Sequence, residues 1–308
     1  MTPNERRNYC FQLQTLGANA PEGWNAFPIS QLMSIDINIT QVKKFWNSNP
    51  VGIKKSMEGL CDYDLFGTYD AIREADNCEP YAFSNFIHEY DKSNGKKVLD
   101  YGCGNGYVLS RYALNHAKVF GLDITEKAIE LSKKRFKLME LNGEFIVNNG
   151  LSIPFPDCFF DTVCSMGVLH HISDPRPVIR ELYRVLKPRG QIILMLYNKN
   201  SFRNHITFRI RKYFGNQIYR GKSLQEQRNM NDGKNCPLAL VYDKTEVKKL
   251  LINFSNVAFC INKLHASELF HWSQIGAFIS LFIPRRVVRF LASKIGWNLY
   301  VKARKPAA

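Results

Sequence analysis

Residues 98–106, Val-Leu-Asp-Tyr-Gly-Cys-Gly-Asn-Gly, constrain this chain more than any other stretch. Apolar and aromatic residues flank Asp100, glycine then falls at every second place, and Tyr107-Val108-Leu109-Ser110 opens a helix-like pattern. The pattern predicts a buried strand running into a glycine turn that opens a helix. Glycine takes positive φ and lets a ligand approach bare backbone. Amides at the following helix start point toward whatever sits there. Gly102, Gly104 and Gly106 supply that turn, with Cys103 inside it, and Asp100 just ahead can hold a cationic amino group. The combination suits a nucleotide bearing an amino acid better than a bare phosphate.

From Lys97 onward, strand and helix patterns alternate as a parallel α/β sheet requires. The spacing predicts strands near 97–101, 118–122, 144–148, 160–166 and 190–197, with helices near 106–116, 125–140 and 174–187. The last large helix is expected from Thr245 to Leu251, and strands near 256–264 and 297–304 finish the sheet. The second strand ends in Asp123, 21 residues after Gly102. A carboxylate at that strand end can accept from both hydroxyls of a ribose. The competing role for Asp123 or Thr125 is to cap the next helix. A dinucleotide fingerprint would need its third glycine at 107, where Tyr107 stands.

The first motif resembles that of class I S-adenosylmethionine-dependent methyltransferases, and further landmarks arrive in order. Phe145–Pro156 is similar to the family segment Gly-Asp-Ala-x-x-Leu-Pro-Phe, with Asn149 where the family has an acid. Phe159–Pro175 resembles Phe-Asp-x-Val-x-x-x-x-Val-Leu-His-His-Ile-x-Asp-Pro, and Leu186-Lys187-Pro188-Arg189-Gly190 matches the turn that follows. The resemblance implies a doubly wound, Rossmann-like α/β sheet of about seven strands, mostly parallel with an antiparallel last strand. It further implies an N-terminal cap over 1–65 and a methyltransferase domain over 66–308, with a helical insert at about 200–240 and a basic apolar segment at 270–295.

The resemblance also carries roles onto named positions. Gly102, Cys103, Gly104 and Gly106 would cradle the methionine part of S-adenosylmethionine, and Asp100 its ammonium group. Asp123 and Ile124 would hold the ribose, and Asn149, Gly150 and Leu151 the adenine, with the amide of Asn149 a weaker partner than a carboxylate. Met166 would face the methyl group. His170 and His171 are the base candidates, since an imidazole near neutrality can take a proton from an acceptor. Their alternative role is to orient the loop.

Composition narrows the partners. Eight cysteines include no Cys-x-x-Cys pair and no metal-type spacing with the seven histidines, so reduced thiols and no metal are expected. The N-terminus leads into no apolar signal region. The apolar run from Ile275 to Ile283 is far short of the ~20 residues that span a bilayer, which suggests a cytoplasmic protein. Residues 201–308 hold 19 Lys and Arg against 5 Asp and Glu, while residues 1–200 are nearly balanced. Such a field favours an anionic partner. The expected acceptor is a small molecule, anionic or lipid-like, offering an O, N or C nucleophile, with peripheral contact to anionic membrane a further expectation. An RNA methyltransferase is the alternative, though no RNA-binding module or stacking platform is recognisable. A nicotinamide oxidoreductase and a non-catalytic S-adenosylmethionine-binding protein are the remaining readings. Oligomeric state stays open.

Overall fold

The computed structural model describes residues 29–51, 57, 59–75, 78–215, 217–264, 268 and 283–307. Helices α1 (Ile29–Ser48), α2 (Asp62–Arg73) and α3 (Tyr81–His88) precede a sheet of seven strands. The strands are β1 (Lys97–Tyr101), β2 (Lys118–Asp123), β3 (Glu144–Val147), β4 (Phe160–Met166), β5 (Leu186–Tyr197), β6 (Ser255–Asn262) and β7 (Asn298–Arg304). Their order is β3-β2-β1-β4-β5-β7-β6. Strands β1 to β5 pair in parallel, and β7 runs antiparallel to both β5 and β6. This is the expected α/β sheet, mostly parallel with an antiparallel last strand.

Helices α4 (Tyr107–Leu114), α5 (Glu126–Leu138) and α6 (Arg176–Val185) make the crossovers. They cover both faces, which is why the central strands are apolar on both sides. Leu99, Leu122, Val163 and Leu194 enter one core, and Val98, Val119, Cys164 and Ile193 enter the other. The insert is a π-helical turn at Arg203–Thr207, then α7 (Phe208–Phe214) and α8 (Leu224–Asn229). Helices α9 (Lys244–Leu250) and α10 (Arg285–Ile295) follow.

Three expectations need correction, and residues 29–48, to which the sequence assigns no element, form α1. This helix packs on the sheet domain through buried Val42 and Phe45, a Lys43–Glu126 ion pair at 2.6 Å and Asn47 Oδ1 accepting from the Lys127 amide. Strand β5 starts at Leu186 rather than 190, because Leu186 pairs with Phe160 before a register shift and Arg189 absorbs the irregularity at φ +62°. The helix over 174–187 is shorter, since Asp174 Oδ1 accepts from the Arg176 amide and α6 begins there. The helix near 245–251 is not the last: α10 begins after Pro284 and leaves Val287 and Phe290 exposed.

In the insert, Phe208 is fully buried and packs on Trp297 with ring centroids 5.6 Å apart, whereas Tyr213, Phe214 and Ile218 are exposed. Trp24, Phe27 and most of the apolar run, 275–282, lie outside the described residues.

Candidate active site

At β1 and β4 the chain leaves the sheet in opposite directions, toward β2 and toward β5, and the crevice between them lies at the carboxyl ends of the strands. A cavity of about 400 Å³ fills it. The glycine turn forms its floor. Gly102, Gly104 and Gly106 have φ of +81°, +55° and +76°, values that a side chain would strain. A Cβ on Gly102 would lie 2.2 Å from Val168 Cγ2, so the turn can sit against the loop after β4 only without one. A Cβ on Gly104 would meet nothing nearer than 4.0 Å, which leaves that backbone open to the cavity. The Gly102 and Cys103 amides both donate to Leu122 O, at 2.7 and 2.9 Å, tying the turn to β2. Cys103 Sγ packs on Ser132 Oγ at 3.6 Å. Gly106 caps α4 in a left-handed conformation and does not line the cavity.

Two carboxylates meet this floor. Asp100 is buried, its Oδ1 has no hydrogen-bond partner, and burial pushes its carboxyl up to about 7, with the nearby charge of Asp123 adding to the rise. An unpaired buried carboxylate is costly unless a cation joins it. Asp123 Oδ2 accepts from the Gly104 amide at 3.1 Å, and Oδ1 accepts from the amide and hydroxyl of Thr125, both at 2.9 Å. Burial raises its pKa while these donors oppose the rise. Thr125, not Asp123, caps α5 by accepting from the Ala128 amide. Since Oδ1 already takes two donors, Oδ2 is the oxygen with the greater capacity for a further one.

The far wall is the turn after β3. Asn148 Oδ1 accepts from the Gly150 amide at 2.8 Å, and Asn149 Oδ1 accepts from the Leu151 amide at 3.2 Å. Gly150, at φ +80°, accepts the Tyr101 hydroxyl on its carbonyl at 3.0 Å. Ile124, Asn149, Gly150, Leu151 and Met166 all line the cavity. The structure therefore brings together every cofactor residue expected from sequence except Gly106, which acts one step behind.

The two histidines part company. His171 lines the cavity, and His170 does not. His170 is fully buried, stacks on Tyr197 with centroids 3.7 Å apart, and leaves both ring nitrogens without a partner. Burial, with His171 beside it, drives its pKa well below the usual imidazole range, so it is a neutral packing residue rather than a base. His171 Nδ1 lies 2.5 Å from Leu238 O. A carbonyl only accepts, so Nδ1 carries the proton and Nε2 is the lone-pair nitrogen. Its ring packs edge-on against Trp46 at 5.0 Å.

Sequence reading gave no site role to Trp46, Arg73, Tyr197, Asp232 or Lys263, which also line the cavity. Arg73 pairs with Glu79 at 2.5 Å and leaves Nε without a partner. Asp232 accepts the Tyr197 hydroxyl on Oδ1 and leaves Oδ2 buried and unpartnered. His171, Asp232 and Cys236 present donor atoms within 4.8 Å of one another, but His171 Nδ1 is committed to Leu238 O and burial pushes the Cys236 thiol up to about 12.

Residues 99–194 match the methyltransferase domain family. The chain is 36% identical over 118 residues to a ubiquinone biosynthesis O-methyltransferase of Pseudomonas putida, covering 38% of this chain and 50% of that protein. These matches place a methyltransferase domain at residues 99–194. The chain is also 36% identical over 103 residues to a 27-O-demethylrifamycin SV methyltransferase of Amycolatopsis mediterranei, covering 32% of this chain and 38% of that one. The chain spans about half the length, or less, of the curated relatives it matches. In fold it is similar to magnesium protoporphyrin IX methyltransferase of Synechocystis PCC 6803, crystallised with bound S-adenosylmethionine. That likeness has a TM-score of 0.51 at 15% identity and covers 87% of this chain and 97% of that one.

The cofactor of such domains is S-adenosylmethionine, and the residues of this cavity fit it. The unpartnered Asp100 Oδ1 suits an ammonium group, and the open face of Gly104 leaves room for a chain against bare backbone. Arg73 Nε, unpartnered at the same cavity, suits a carboxylate.

Proposed function

We propose that this methyltransferase transfers the methyl group of S-adenosylmethionine to a hydroxyl oxygen of a small, largely apolar acceptor. One observation carries the reading: a single cavity runs from the glycine turn and Asp123 to Trp46, His171, Tyr197 and Asp232. A donor on the first set and an acceptor on the second would share one enclosed space, and holding two reactants in contact is the larger part of such catalysis.

In this reading Asp100 and Arg73 bind the amino-acid end, Asp123 Oδ2 the ribose, and Asn149 to Leu151 the adenine. The sulfonium supplies an electrophilic methyl carbon. The acceptor end is lined by Ile39, Val42, Trp46, Ile172 and Met195, which exclude water from it. Lys263 on the same wall can pair with an anionic substituent. The oxygen nucleophile is supported by the two curated relatives, both O-methyltransferases by name, and by the proton-handling groups around His171. Residues 1–65 serve as a cap, of which α1 places Trp46 over the acceptor end, and 66–308 as the catalytic domain, working in the cytoplasm. Exposed Tyr213, Phe214 and Ile218 among the basic residues of the insert favour an acceptor at or from an anionic lipid surface.

Incubating the protein with methyl-labelled donor and an extract of its source cells tests this. Label is expected in a small molecule that partitions into the organic phase. Label in material that ribonuclease releases, or none transferred at all, contradicts the proposal.

A further inference from the structure

The insert does more than cover the acceptor end. Asp232 stands between α8 and α9, far in sequence from every motif, yet lies against the cavity beside His171. Its Oδ1 is held by the Tyr197 hydroxyl at the end of β5, and Tyr197 in turn is clamped between His170 at 3.7 Å and Trp297 at 4.5 Å. Its Oδ2 is buried without a partner. A carboxylate so fixed beside a neutral imidazole of known tautomer has the arrangement of a base and its counter-charge.

We propose that Asp232 is a positioning residue for methyl transfer, locked by Tyr197 as the counter-charge that lets His171 Nε2 take the acceptor's hydroxyl proton. The acceptor's O–H bond breaks, its proton goes to Nε2, and the oxygen's electron pair forms the new bond to the methyl carbon. The carbon–sulfur pair returns to sulfur, and the imidazolium is stabilised by Asp232 until the proton leaves to solvent. The inference rests on the methyl-transfer reading above.

The groups facing His171 fix the sign of the test. His170 lies at 4.3 Å between ring centroids, Cys236 Sγ at 4.0 Å from Nδ1, and Tyr197 and Trp46 flank the ring. Burial raises the pKa of Asp232, and His171, the Tyr197 hydroxyl and Lys263 oppose that rise and favour its charged form. Of the groups beside His171, His170 and Cys236 are held neutral, and burial lowers its pKa while the charge of Asp232 and the bond to Leu238 raise it. Removing the Asp232 charge therefore lowers the imidazole pKa.

The experiment uses the full chain with nitrogen-15-labelled histidine, S-adenosylhomocysteine as probe, and label transfer to source-cell extract as the rate. His171 is expected as the Nδ1–H tautomer. In Asp232→Asn its pKa falls, and Asp232→Glu brings it back toward the parent value. Transfer in Asp232→Asn drops by about tenfold or more at neutral pH, and the acid limb of the pH profile moves to lower pH. Probe affinity stays within about twofold of the parent. Tyr197→Phe, which frees the carboxylate without removing its charge, shifts the profile the same way by less. An unmoved His171 pKa, an Nε2–H tautomer, or probe affinity falling in step with transfer overturns the proposal. A parent protein that labels nothing contradicts the methyl-transfer reading instead, and the resonance measurements still decide the pairing.

Discussion

Asp100 shows how one residue can tie proton binding to ligand binding. Its carboxyl, raised to about 7 by burial, is mostly neutral in the free protein at mildly acidic pH. An ammonium group at Oδ1 favours the charged form and pulls that pKa down. Binding of S-adenosylhomocysteine should then release close to one proton at about pH 6 and almost none at about pH 8.5. Calorimetry in buffers of different ionisation enthalpy reads this directly, and Asp100→Asn should abolish the release. Equal heats in all buffers at the lower pH contradict the assignment. The sign for stability is opposite to that of a salt-bridged carboxylate: the raised pKa favours the fold below about pH 4, and that contribution is lost as pH rises toward 7. Residue identity in this half of the cavity was legible in sequence because backbone conformation demands it. Gly102 tolerates no Cβ, and Asp123 falls at a strand end. Asp232 and Tyr197 were not legible, because their partnership depends on where an insert folds back, and no local pattern encodes that.

Helix α2 is joined to the glycine turn by one buried cation. Arg135, from α5, is 1% exposed. It donates from Nε to Asn105 O at 3.0 Å and lies 2.9–3.0 Å from the carboxylate of Asp70 on α2. Its guanidinium sits 4.5 Å over the Phe66 ring. Removing it leaves Asp70 with only Arg111 at 3.6 Å and frees the turn's carbonyl. Arg135→Met should cost about 3–5 kcal/mol of stability, measured by urea unfolding, and should weaken S-adenosylhomocysteine binding because α2 carries Arg73 and Tyr69 onto the cavity. A loss under about 1 kcal/mol would mean the contact is ornamental. Elements were legible in sequence where alternation was regular, as in β1 to β4. They were not where polar and apolar residues mix without a clean stripe, as in α1. Nor does the insert form one helix: a π-helical turn leads into α7, which ends at Phe214, and Phe208 turns inward while Phe214 faces out.

At the scale of the whole molecule, the sheet order decides where ligands go. With β1 and β4 adjacent and their crossovers on opposite sides, the crevice at their carboxyl ends is built in before any side chain is chosen. The N-terminal helices and the insert contribute Trp46, Arg73 and Asp232 to its lining. In the proposed reading this crevice binds the nucleoside of S-adenosylmethionine. The most direct test is calorimetry with S-adenosylhomocysteine on the parent and on Asp123→Ala, with circular dichroism to confirm that both are folded. One site is expected in the parent and a loss of about tenfold or more in affinity, roughly 1.4 kcal/mol, in the variant. No binding by the parent, or equal binding by a folded Asp123→Ala protein, would contradict it.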